Sequence, residues 1–151
     1  MVKKKFKVTL AESAPYEFIE LKERFDCSSP SFSNYTIVWV DVAKLVELSE
    51  IDPFSSFLPH VNQWSKEKKE LYINLMKPDP ELDCLGTPFV SFTTHETTTK
   101  RFGFFKQRTV TRSVGFIDGR HRARICEYLG AKRIPVITHV SHKADFEQYC
   151  T

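Results

Sequence analysis

The sequence lacks any apolar run long enough to cross a bilayer. Its longest, Thr36 to Ala43, is interrupted by Asp41, whereas a helical span needs about 20 residues. The lysines near the N-terminus are not followed by a long apolar region, so no secretory signal is read. A cytoplasmic protein without a membrane partner is expected. Cysteine is sparse, and Cys27, Cys84, Cys126 and Cys150 show neither metal-ligand nor redox spacing. They are read as reduced thiols. No Gly-x-x-x-x-Gly-Lys-Ser/Thr loop is present, which excludes a P-loop enzyme, and no Gly-x-Ser-x-Gly turn presents a serine nucleophile. Internal repeats and low-complexity tracts are also missing.

What is there fits one globular domain over residues 1–151, with 41% hydrophobic and 27% charged residues. The net charge of +3 hides a strong polarity. Seven of the eight arginines, all but Arg24, fall between Arg101 and Arg133. Residues 100–133 hold ten lysines and arginines against Asp118 and Glu127, a net charge of +8. The remainder carries twelve bases and seventeen acids, a net −5. Arginine presents a planar fork of donors suited to phosphate and carboxylate, so this clustering points to anion recognition. The alternative is a solvated basic face that serves solubility.

The pattern predicts an α+β domain. Val2 to Leu10 reads as an edge strand, Tyr16 to Phe25 as a short amphipathic helix, and Tyr35 to Val40 as a buried strand. Asp41 opens a short helical turn, and Ile51 to Pro59 reads as a proline-bounded connector. Ser65 caps a helix running to Met76, whose Leu71, Leu75 and Met76 form a core-facing stripe. Three strands are expected at Phe89–Thr93, Arg101–Lys106 and Thr109–Ile117, with turns at 95–100 and 107–108. A helix from Arg120 to Leu129, a left-handed cap at Gly130, a strand at Ile134–Val140 and a terminal helix at His142–Cys150 complete the chain.

The chemistry concentrates where a strand runs through Asp118-Gly119 into a helix opening with Arg120, His121 and Arg122. A helix start carries unpaired N–H groups and the positive end of the helix dipole, together an anion site. Gly119 removes the side chain that would block a phosphate, and Arg120, Arg122 and Arg124 add positive charge. His121 titrates near neutrality and is a candidate general acid, general base or phosphate donor. Asp118 is a candidate for orienting an arginine, holding a metal ion or capping the helix. Glu96, in the loop expected after Phe89–Thr93, is a candidate base or magnesium ligand; the alternative is an exposed loop glutamate. Lys100, Arg101, Lys106, Arg108 and Arg112 form a candidate nucleic-acid surface. Phe102, Phe104 and Phe105 stack bases there or else form one apolar hairpin face. The His139-x-x-His142 pair is weak evidence for a metal without a third ligand, and Trp39 and Trp64 read as core.

The string Ile117 to Ile137 (IDGRHRARICEYLGAKRIPVI) resembles the signature of the ParB/sulfiredoxin superfamily. Its strand leads to a Gly-x-(Arg/His)-Arg turn, an alanine-bearing helix, a Leu-Gly stop and an Ile-Pro-Val strand. Leu85 to Phe92 looks like that family's upstream strand, and the likeness extends over about residues 35–141. The resemblance implies a compact domain with a mixed sheet of about four to six strands and flanking helices. It also implies nucleotide phosphates held at Gly119, Arg120, His121 and Arg122, with ATP or CTP accompanied by Mg2+ or Mn2+. Arg120 stands where sulfinic reductases carry cysteine, so that activity is not expected. The chain ends 15 residues after Val136, so the helix-turn-helix of a partition protein is not expected either. The Asp-Gly-Arg-His-Arg turn looks most like plasmid- or phage-borne members, including fertility-inhibition proteins that restrict DNA transfer. That likeness implies ATP hydrolysis or DNA cleavage. The competing reading is a non-enzymatic module that blocks DNA, or a protein of the transfer or partition machinery, with the basic segment.

Overall fold

A computed structural model describes residues 3–52 and 58–151. Most of the proline-bounded connector expected over Ile51 to Pro59 lies outside them. The chain begins with an antiparallel pair, β1 (Lys5–Thr9) and β2 (Phe18–Lys22). The amphipathic helix expected over Tyr16 to Phe25 is therefore strand β2. Ile19 and Leu21 share one face and are fully buried, the two-residue period of a strand.

A four-stranded sheet forms the centre, in the order β3 (Tyr35–Asp41), β6 (Arg133–His139), β4 (Phe89–Arg101), β5 (Phe105–Asp118). β3 and β6 are antiparallel, β6 and β4 parallel, and β4 and β5 antiparallel. This is the α+β architecture with a mixed sheet that the sequence predicts. α1 (Val42–Ile51) follows β3 directly, and the Asp41 carboxylate caps it by accepting from Lys44 N at 2.9 Å. α1 buries Val42, Leu45 and Val46. α4 (Lys143–Tyr149) closes the core with fully buried Phe146, whose ring meets Phe92 edge-on at 5.3 Å.

α2 (Lys66–Leu75) starts where Ser65 predicts, with Ser65 Oγ accepting from Lys68 N. Its expected core stripe is not one. Leu71 and Leu75 are 56% and 52% exposed, and only Met76 is buried. α3 (Arg120–Tyr128) follows β5, and Gly130 takes the left-handed conformation that ends it, with φ +80°.

The largest correction concerns the middle of the chain. Where three short strands are expected, β4 and β5 form one long hairpin paired in unbroken register from Val90–Phe116 to Arg101–Phe105. The expected turns at 95–100 and 107–108 are strand, and the expected strand over Arg101–Lys106 contains the hairpin tip. Threonine-rich segments with no apolar alternation carry no periodic signal, and here neither face of the outer ribbon is covered.

Candidate functional site: a helix start braced by a glycine-proline loop

β5 ends at Asp118, and Gly119 turns the chain into α3 with φ +90°. The first intrahelical bond runs from Ala123 N to Gly119 O at 3.0 Å. Ahead of that bond, the N–H groups of His121 and Arg122 stand outside the intrahelical ladder. Gly119 is needed here twice over. Its backbone is left-handed, and a Cβ would lie 2.8 Å from Pro88 Cα. Pro88 belongs to the Gly86-Thr87-Pro88 loop that packs against the helix start. Thr87 in that loop is fully buried, and its Oγ1 has no hydrogen-bond partner among the described residues.

Arg122 ties the loop to the turn. It donates from Nη1 to Gly86 O and from Nη2 to Asp118 Oδ2, the latter at 2.7 Å. Arg24, which follows β2, donates to the same carboxylate oxygen. The Arg24 hydrogen bond, assisted by Arg122, holds the Asp118 carboxyl below the usual carboxylate range. Asp118 does not cap the helix; Gly119 occupies the cap position with no side-chain cap bond. No local spacing announces Arg24, which lies 94 residues from Asp118 and outside the basic segment.

His121 lies on the α2 side of the helix start. Its ring stacks on Tyr72 with centroids 5.1 Å apart and planes 5° apart, and Trp64 lies 5.6 Å away. Burial, then the charges of Lys68 and Arg120, push the His121 pKa down. This environment favours the neutral imidazole. Lys68 lies 4.5 Å over the Trp64 ring. Trp64 is buried as expected, but it also walls this corner of the site.

Gly119, Arg120, His121, Arg122 and Asp118 thus come together. Arg124 does not join them. It is 8% exposed and donates to Glu50 at 2.7 Å, to Leu58 O at 2.9 Å and to Glu127 at 3.1 Å, locking α3 to α1. Glu96 is also elsewhere: it sits on β4 and is ion-paired with Arg108. Asp118 pairs with Phe89, seven residues from Glu96, which puts the two carboxylates about 23 Å apart at ~3.3 Å per residue. They cannot share one metal ion. Lys100, Arg101, Lys106, Arg108 and Arg112 all lie on the outer hairpin.

The phosphate chemistry fits this corner. A helix start with the N–H groups of His121 and Arg122 outside the intrahelical ladder, and a first turn with no acidic residue, favours an anion. A protein-built metal centre does not fit. Among the described residues no three His, Cys, Asp or Glu side chains cluster, and Asp118 is engaged by two guanidinium groups. The cysteines are free thiols outside the site, and burial pushes Cys126 and Cys150 up to about 12.

Fold and site together define an α+β domain with an arginine-rich strand–glycine–helix corner. The plasmid fertility inhibition factor family model matches residues 37–151, and the chain belongs to that family. Among solved structures, the chain is similar to the Oncogenic Suppression Activity Protein, described as a plasmid fertility inhibition factor and solved as a gold(I) cyanide derivative. The TM-score is 0.67 at 13% identity, covering 98% of this chain and 69% of that one, a likeness of fold. No curated protein matches the chain. Among the described residues no helix is long and apolar enough to cross a membrane.

Proposed function

We propose that this member of the fertility-inhibition family restricts plasmid transfer from the cytoplasm as a nucleoside-triphosphate-binding protein with a ParB/sulfiredoxin-like phosphate site. The observation that carries the reading is the Gly119 corner, where a phosphate oxygen would sit against the helix start at the N–H groups of His121 and Arg122. Arg120, whose charge acts on His121, brings a further cation to the same turn. Arg122 is a positioning residue, because its guanidinium holds the Gly86–Pro88 loop and Asp118 in place. ATP or CTP would arrive with Mg2+ or Mn2+, held by the phosphates with Asp118 at most, since such ions keep waters and take few protein ligands. Such an ion would supply charge neutralisation on the phosphates; the chain's own residues bind and orient.

Hydrolysis of the terminal phosphoryl group is the reaction the corner supports. Fixed donors and arginines stabilise charge as it builds on the transferred group. Neutral His121 accepts the proton of the attacking water. DNA cleavage would use the same handling of a phosphoryl group. Titration calorimetry with ATP and CTP tests the binding. Arg120→Gln and Arg122→Gln should each weaken it about 10-fold or more, as expected for a lost charge-assisted hydrogen bond or its positioning. Unchanged affinity in both variants, with circular dichroism intact, overturns the reading.

A second reading, a non-enzymatic module that binds DNA through the basic segment, is favoured by one observation. Alternation along the hairpin gathers Lys100, Lys106, Arg108 and Arg112 on a single face.

A further inference from the structure

Beyond Phe92 and Val114 the β4–β5 hairpin leaves the body as a two-stranded ribbon, and residues 93–101 are all exposed. Nine residues separate Phe92 from Arg101, so the ribbon projects about 30 Å. Its two faces differ. Lys100 pairs with Lys106, Thr98 with Arg108 and Thr94 with Arg112, and these residues share the face that starts in the core with Phe92 and Val114. That face has four cations and one carboxylate, Glu96, which is ion-paired with Arg108. Arg112 anchors its inner end, 4.1 Å over the Tyr149 ring. The opposite face carries Thr93, His95, Thr97, Thr99, Gln107, Thr109 and Thr111, with Arg101 as its one lysine or arginine.

The tip is apolar. Phe102, Phe104 and Phe105 are 89%, 92% and 72% exposed. Phe102 has φ +56° and Gly103 φ +73°. A positive φ is an outlier for a residue as bulky as phenylalanine. The turn therefore holds a phenylalanine against its own chemistry, in solvent, with no packing gained. A strained residue that contributes nothing to the fold points to a binding role.

We propose that this ribbon is a DNA-bending arm that lays its cationic face along the phosphates of a duplex and wedges its phenylalanine tip between base pairs. The proposal rests on the second reading above for its partner. Charge complementarity selects an anionic occupant, and shape selects a duplex. A two-stranded ribbon fits a DNA groove. Apolar side chains inserted between base steps bend the duplex by 20–90°. Single-strand binders instead space their aromatics along the groove that tracks the strand, whereas here the aromatics sit only at the tip. A membrane surface would engage the tip to a depth of about 5–10 Å, yet the cations continue to Arg112, about 20 Å behind Lys106 at the strand rise.

The test uses the full chain and a 25-bp duplex carrying a donor and an acceptor dye at its ends. In one variant, Lys100→Gln with Lys106→Gln removes two cations of the face. In the other, Phe102→Asn with Phe104→Ser and Phe105→Thr removes the wedge and puts at position 102 a residue that tolerates positive φ. Both leave the body untouched, which unchanged unfolding midpoints verify. Duplex binding by the parent should weaken with salt, and the lysine variant's log–log slope should be shallower by about 1.8, at ~0.9 per phosphate contact. The phenylalanine variant should keep the parent slope and lose the rise in energy transfer that reports the bend. Undiminished bending by the phenylalanine variant overturns the wedge and leaves the DNA-binding reading standing. An unchanged slope in the lysine variant overturns both. Binding to anionic vesicles without binding to the duplex also overturns the proposal.

Discussion

Replacing Gly119 by alanine tests the geometry on which the phosphate site depends. Two effects act together. At φ +90° an L-residue is strained, at roughly 1–2 kcal/mol. The new methyl would also lie 2.8 Å from Pro88 Cα and 3.1 Å from both Pro88 Cβ and Arg122 Nη2. Relief by movement is poor, because Pro88 O accepts from Ile137 N at 2.9 Å and Phe89 immediately begins β4. Overpacking of this kind costs about 1–3 kcal/mol, so Gly119→Ala should destabilise the protein by about 2–5 kcal/mol.

Gly103→Ala supplies the control. Its φ of +73° is as unfavourable, but nothing lies within 4 Å of the added carbon. Only the backbone strain applies there, roughly 1–2 kcal/mol. Equilibrium urea unfolding of the parent and both variants isolates the steric part as the difference between them. It should be about 1–3 kcal/mol, or roughly 2–12 °C in midpoint temperature for a domain of this size. Equal loss in the two variants would refute the close packing of the Gly86–Pro88 loop on the helix start, and with it the shaped corner.

Two further outcomes follow from the site's electrostatics. Arg124→Met should lower unfolding stability by about 1–3 kcal/mol, because Glu127 and Leu58 O lose a partner, while calorimetry shows nucleotide affinity unchanged; a loss of affinity with stability intact would return Arg124 to the phosphate site. His121 is held below its ordinary pKa chiefly by burial. Its contribution to stability is therefore fully present above the unfolded value near 6.5 and is lost as pH falls through the lower folded value. An NMR titration should show the His121 pKa rising when a triphosphate binds beside it, and an unmoved pKa would place the anion elsewhere.

The strands and helices nearest the site were legible because independent signals agreed on them. Tyr35–Asp41 is β-branched and aromatic, Asp41 caps α1, and Gly130 stops α3 just before β6. β2 was misread because Phe18, Ile19 and Leu21 satisfy a helical period as well as a strand period, and only pairing with β1 decides between them. The hairpin was misread for the opposite reason: with both faces in solvent, no burial pattern was written into its residues. Arg24, Trp64 and Tyr72 reach the site through tertiary packing, and no local spacing announces them.

The basic segment shows how a correct count can still mislead. A net +8 over residues 100–133 reads as one patch, yet the fold assigns its arginines to separate tasks. Side chains two apart on a helix differ by about 200°. Arg122 therefore turns to the Gly86 loop while Arg124 turns to α1, and only one of them can face an anion at the corner. Along β5, side chains two apart share a face, so Lys106, Arg108 and Arg112 act together. The same near-alternate spacing of positive residues disperses charge on the helix and concentrates it on the ribbon. The anion binding proposed for this molecule thus divides between a small corner at the start of α3 and a long arm with a cationic face, and variants in one should leave the other intact.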